Sequence, residues 1–225
     1  MKIPKKILSL LLYSQANIGQ LYCYYRMKRY VYYKIRNNVN LLNLLFTYKK
    51  MIFLLIMMKN IDQIKKVLVI ETNGYANKAV KKFCSLTKTT GFLRNYKAGN
   101  FSNRKIQSYF SPSFALVTEP NNDKKIVFEL SSLNIPISAV CNSGTSTSYV
   151  DIVIPYNTAS KFSVSVFYYI LSRVYNIVTQ AKSVTKHANF IDYIKKSKSR
   201  KAIKKSNILR RRDSNPSLTG ESRTS

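Results

Sequence analysis

Four short, almost wholly apolar runs constrain this chain more than anything else in it: Val67–Ile70 (VLVI), Phe114–Val117 (FALV), Ile137–Val140 (ISAV) and Ile152–Ile154 (IVI). Each is too short for a buried helix and lacks the in-out alternation of a half-exposed strand. Such runs fit strands covered on both faces, as in a parallel sheet. Stretches of helical character separate them, at 75–86 with Ala76, Val80 and Phe83 on one face, and at about 122–132. A long helical segment, 161–180, follows the last run. Strands alternating with helices imply right-handed crossovers, so the sequence predicts an α/β fold with a three-layer α/β/α arrangement and a Rossmann- or flavodoxin-like parallel sheet. Pro120, Pro136 and Pro155 fall at strand edges, where a missing N–H is tolerated.

Ahead of this core the pattern predicts a helix over 4–16 ended by Gly19, a strand or hairpin arm over 28–35, a turn at Asn37-Asn38, and an apolar helix over 41–59. Beyond about residue 181 periodicity is lost, and 195–212 (KKSKSRKAIKKSNILRRR) is a basic run. The expected organisation is an N-terminal arm and helix (1–62) packed on an α/β core (63–181), then a flexible basic extension (182–225).

Charge narrows the function. Lys and Arg number 38 against nine Asp and Glu, a net +29. The excess is spread along the chain: eleven bases and no acid in 1–61, fourteen against six in 62–181, thirteen against three in 182–225. A surface this positive throughout calls for a polyanion, nucleic acid or an anionic membrane.

Catalytic chemistry has little to work with. The loop after the first apolar run, ETNGY, holds one glycine, Gly74, whereas dinucleotide and phosphate loops need several. Glu119 and Asp123 read as a turn residue and a helix first-turn acid, and Asp151 as a loop acid. His187 is the only histidine and lies in the basic extension, so Cys141 has no base to activate it and reads as a buried thiol. Cys23, Cys84 and Cys141 make neither a disulfide framework nor a zinc set. No catalytic residue, metal or cofactor is expected, and the chain is not expected to be an enzyme.

Two segments suit RNA. LYCYYRMKRYVYYKIRNN (21–38) interleaves tyrosines with Arg26, Lys28, Arg29, Lys34 and Arg36, a mixture in which cations take phosphates and rings stack. The alternative is that several tyrosines are core and the charges merely solvated. RNYKAGNFSNRK (94–105) offers Arg94, Lys97, Arg104 and Lys105 on a polar loop with Gly99, Asn100 and Asn103. The first residues, MKIPKKILSLLLYSQA, imitate a secretory signal but are expected to belong to the fold. The stretch 41–58 is interrupted by Lys49 and Lys50, leaving eight apolar residues where a span needs roughly 20. A buried helix is expected there; the alternative is a membrane-associated organellar protein held by 41–58.

In their order these pieces resemble the universal small-subunit ribosomal protein two family, in its bacterial or organellar form. The resemblance covers roughly 8–180 and rests on LLYSQANIGQ (11–20), RMKRYVYYKIRNNVNLLN (26–43), VLVIETNGYANKAVKKFC (67–84), RNYKAGNFSN (94–103), FALVTEPNND (114–123), LNIPISAVCN (133–142) and VDIVIPYN (150–157). Asn17 and Gln20 stand where the family has histidines, and only ten residues separate Asn103 from Phe114, so the bacterial coiled-coil insertion is missing. The resemblance implies a structural constituent of the small ribosomal subunit, with ribosomal RNA and neighbouring small-subunit proteins as partners. It implies no small-molecule substrate and no stable membrane insertion. Richness in Lys, Asn and Tyr, with the match beginning near residue 8, points to a mitochondrial matrix ribosome ahead of a plastid or a bacterial cytoplasm. RDSNP (212–216) fits a reading frame running into an antisense tRNA gene, which would leave the last dozen residues under little functional selection.

Overall fold

The computed structural model describes residues 3–35, 37–72, 74, 76–93, 96–179 and 190–194. The elements are α1 (Lys5–Tyr13), β1 (Val31–Lys34), β2 (Asn40–Leu42), α2 (Leu44–Lys59), β3 (Val67–Ile70), α3 (Asn77–Thr87), β4 (Thr90–Phe92), β5 (Phe114–Val117), α4 (Lys124–Ser132), β6 (Ile137–Cys141), β7 (Ile152–Pro155), α5 (Lys161–Thr179) and α6 (Phe190–Ile194). Single 3₁₀ turns cover Tyr25–Tyr30 and Ile64–Lys66.

All four apolar runs are strands of one five-stranded sheet, ordered β4-β3-β5-β6-β7 and parallel throughout. Every residue of β3, β5, β6 and β7 is buried, because helices or loops cover both faces. On one face Val67, Val69, Phe114, Leu116, Val140 and Ile154 pack with residues of α1, α2, α3 and α5. On the other, Leu68, Ile70, Ala115, Val117, Ala139 and Cys141 meet Ile126, Val127 and Leu130 of α4, together with Met27, Tyr30 and Phe101. The expected three-layer α/β/α architecture is therefore present. From β3 the chain moves outward to β4, then returns to β5 on β3's other side, so the winding direction reverses between β3 and β5.

Several local expectations are corrected. Residues 28–30 belong to a 3₁₀ turn, and only 31–34 is strand, pairing antiparallel with β2 across a register shift between Val31 and Tyr33. Helix α1 stops at Tyr13, with Gln15 in the left-handed region (φ 56°), so Gly19 is not its terminator. Gly19 serves close approach instead: a Cβ there would lie 2.7 Å from both the Asn40 carbonyl oxygen and Ser143 Oγ. The imitation signal segment is part of the core through Leu11 and Ala16, with Ile7 and Leu10 packed against it. Strand β4, three residues with a central glycine, is too short to show as an apolar run. Helix α6 carries no periodic signal, yet Tyr193 is buried and donates to Ser172 Oγ (2.9 Å), while its ring and that of Phe190 meet Tyr169.

Helix α2 is only half buried. Met51, Leu54, Leu55 and Met58 pack toward β7 and α5, and the Thr47 hydroxyl donates to the Pro155 carbonyl (2.6 Å). Leu45, Phe46, Phe53 and Ile56 lie exposed on its outer side. Among the described residues no helix is long and apolar enough to cross a membrane. The inner face of 41–58 is committed to the core, as a buried helix requires.

Candidate nucleic-acid interface

The first basic segment is set by how the arm is clamped. The Gln20 N–H donates to Ser143 Oγ (2.7 Å), the Tyr24 N–H to the Ser143 carbonyl (2.8 Å), and the Asn40 amide to the Gln20 and Leu21 carbonyls (2.6 and 3.0 Å). These bonds tie the arm to β2 and to the loop after β6. The 3₁₀ turn then buries Met27 and Tyr30, which forces Arg26, Lys28 and Arg29 outward. Tyr22, Tyr25, Tyr32 and Tyr33 are also exposed, as is Lys34. Lys28 Nζ lies 5.8 Å from the Tyr25 ring centroid, and the Arg29 guanidinium 4.9 Å from that of Tyr30. Tyr30 is therefore core, as the bland alternative allowed, but four rings remain beside four cations. Arg36 lies outside the described residues.

The second segment hangs on one carboxylate. Glu129 of α4 accepts from the Phe101 and Ser102 N–H groups (3.1 and 3.0 Å), from the Ser102 hydroxyl (2.8 Å) and from the Tyr96 hydroxyl. Desolvation pushes its pKa up, but these donors outweigh it and hold the group below the usual carboxylate range. Burial, and then the Glu129 carboxylate, push the Tyr96 phenol up, so it stays a donor. Asn100 is buried and accepts from Ser108 Oγ (2.9 Å) and, through its carbonyl, from the Phe110 N–H (3.1 Å). Gly99 supplies the left-handed turn (φ 92°). With Phe101 buried against the sheet, Lys97, Arg104 and Lys105 are left exposed. Arg94 lies outside the described residues.

Both segments anchor in the same core layer, through Met27 and Tyr30 from one and Phe101 from the other. Sequence reasoning missed Glu129 and Ser143, the two polar anchors. Their only trace was a lone acid in α4 and a serine in a polar turn.

The crevice where the winding reverses is closed inward. Asp123 accepts from the Thr72 hydroxyl, Glu71 from the Ala76 N–H (3.5 Å), and the Thr118 hydroxyl shares a bond with that of Tyr168 (2.7 Å). Burial raises Glu71 to about 6 and also raises Asp123. Asp151 accepts from the Ile137 N–H (2.8 Å) and fixes the start of β6, a loop acid as expected. Cys141 is fully buried and its thiol pushed up by desolvation, which matches a structural thiol. Among the described residues no group of three or more His, Cys, Asp or Glu side chains could hold a metal. His187 lies outside them.

Comparison with known proteins follows the same part of the fold. A family model described as ribosomal protein S2 matches residues 105–177, which contain β5 to β7 and most of α5. The small ribosomal subunit protein uS2 of Chlamydomonas reinhardtii is 28% identical over 74% of this chain and 60% of its own length. The uS2 of Schistosoma japonicum is 29% identical over 77% and 62%, and that of Anopheles gambiae 31% over 72% and 57%. The chain spans about three fifths of the length of the curated relatives it matches.

Proposed function

Since the chain belongs to the ribosomal protein S2 family, we propose that it is a structural, non-catalytic constituent of the small subunit of a mitochondrial ribosome. Its partners in this reading are small-subunit ribosomal RNA and neighbouring small-subunit proteins. The observation that carries it is the tyrosine-cation arm: Arg26, Lys28, Arg29 and Lys34 stand exposed beside Tyr22, Tyr25, Tyr32 and Tyr33 on a segment clamped to the sheet. Lysines and arginines replace condensed counterions on RNA phosphates, and the released ions supply the free energy. Tyrosine rings add stacking with splayed bases. Lys97, Arg104 and Lys105 extend the contact from the Glu129-anchored loop, and Arg36 and Arg94 complete the set of nine. A rigid sheet suits this role because the two segments then meet the RNA in a fixed relation. The net charge of +29 repels itself in the free chain and is relieved on assembly.

The compartment rests on the Lys, Asn and Tyr richness of the sequence. Fractionating mitochondrial and cytosolic lysates separately on sucrose gradients and blotting for the chain tests both levels. Co-sedimentation with mitochondrial small subunits, lost at high salt, is expected. A chain that stays at the top of both gradients sinks the ribosomal reading, and one that runs only with cytosolic subunits sinks the mitochondrial one.

A further inference from the structure

The second layer runs thin at one edge of the sheet. Helix α4 packs on β6, while among the described residues Leu68 and Ile70 of β3 share their layer with Phe101 and Phe110 of the irregular segment 96–110 and with Met27 and Tyr30. A cavity of about 610 Å³ is left between that segment and the edge strand β4, within the roughly 300–1,000 Å³ of small-ligand sites. Leu68 lies in its lining, Phe92 and Phe110 add part-exposed rings, and Asn100 adds a polar backbone and amide. Two exposed cations complete it, Lys97 from the loop and Lys81 from α3. No carboxylate is among the described residues that line it. Phe101, stacked on Tyr96 and edge-on to Phe92, adds a third ring to the lining.

Resting on the RNA-binding reading above, we infer that this cavity takes a single unpaired nucleotide of RNA, its base against Phe92 and Phe110 and its flanking phosphates on Lys81 and Lys97. The chemistry favours that occupant over a free phosphorylated metabolite. The cations are flexible lysines at the rim, not a cradle of backbone N–H groups, so they follow a polyanionic strand better than they enclose one phosphate. Ring faces accept any base, so the site selects an extruded nucleotide and not a sequence.

The test uses the full chain and hexauridylate, with 5-iodouridine for photocrosslinking. Lys81→Glu with Lys97→Glu is compared with Lys125→Glu and Lys161→Glu, exposed lysines outside the cavity that change the net charge equally. The cavity pair weakens binding about tenfold more than the control pair, because a lost phosphate contact and a loosened stack add to the general charge effect. Phe110→Leu, which removes a ring and no charge, lowers crosslinking about fivefold or more, as loss of one stacked base predicts, and adducts map to Phe92 or Phe110. Equal weakening by both pairs, or adducts confined to other peptides, overturns the cavity assignment. So does amine crosslinking of Lys97 to an acidic side chain of a neighbouring protein in intact small subunits. None of these results touches the ribosomal reading, which the gradient decides separately.

Discussion

Glu129→Ala removes the single acceptor on which the second basic loop is organised. Four donors lose their partner at once: the Tyr96 and Ser102 hydroxyls and the Phe101 and Ser102 N–H groups. A hydrogen bond to a charged group contributes about 1.5–3 kcal/mol, yet water replaces part of this at a half-exposed carboxylate. The cost falls on opening of the loop, at about 2 kcal/mol, since loss of the acceptor strands two backbone donors near Phe101. That corresponds to a roughly 30-fold drop in protection of those amides at 1.4 kcal/mol per tenfold. Amide hydrogen exchange reads it directly at Phe101 and Ser102, with Leu116 in β5 as the internal reference. Glu129→Gln keeps one acceptor oxygen and loses about a third as much, the share owed to charge. Unchanged protection at Phe101 and Ser102 in the alanine variant would refute the anchoring role, and an equal fall at Leu116 would show a global effect. The pH dependence has a definite sign. The folded pKa of Glu129 lies below its ordinary value, so its contribution is complete above the unfolded value and is lost as pH falls through the folded one. Loop protection is flat from pH 8 to 5 in the wild type and drops only in stronger acid.

Glu71 behaves oppositely: burial raises it from 4.5 to about 6, so stability present below the unfolded pKa is lost as pH rises through 6. Glu71→Gln stabilises the protein above pH 7 by about 2 kcal/mol and flattens that slope; urea unfolding across pH 4–8 checks it, and an unchanged slope rules the burial penalty out. Gly19→Ala drives a Cβ to 2.7 Å from the Asn40 carbonyl oxygen and Ser143 Oγ and costs about 1–3 kcal/mol, read as a lower melting temperature with unchanged helix content. Leu55→Ala on α2, fully buried, costs about 2–5 kcal/mol, whereas Phe53→Ala on its exposed side changes thermal stability little. Reversing Lys28 or Arg29 lowers the salt slope of RNA binding by about 0.7–0.9 per phosphate contact, and an unaltered slope removes that residue from the interface.

Much of the sheet was legible because burial on both faces leaves a strong composition signal. VLVI, FALV and IVI have no room for polar side chains, and their order with α3, α4 and α5 leaves few topologies. Strand β4 was hidden because its three residues are only partly buried or exposed, so Thr-Gly-Phe carries no apolar run, whereas the other edge strand, β7, is covered and does. Residues 28–30, the end of the turn, read as the start of a strand because the tyrosines and β-branched residues of 28–35 favour one. Docking of Met27 and Tyr30 onto α4's layer overrode that preference.

The cationic candidates were visible as residue types, but their exposure was not. Which tyrosine becomes core (Tyr30) and which stay at the surface (Tyr25, Tyr32, Tyr33) depends on a turn and a register shift, neither of which one-dimensional periodicity encodes. Chain chemistry by itself therefore determined a parallel α/β body with a strongly cationic surface, since transfer of apolar side chains and repulsion among like charges follow from composition and order. Only the folded arrangement decided where that surface is presented. Ser143 and Glu129 hold segments that lie far from them along the chain, and hydrogen bonds between distant residues leave no periodic trace in sequence.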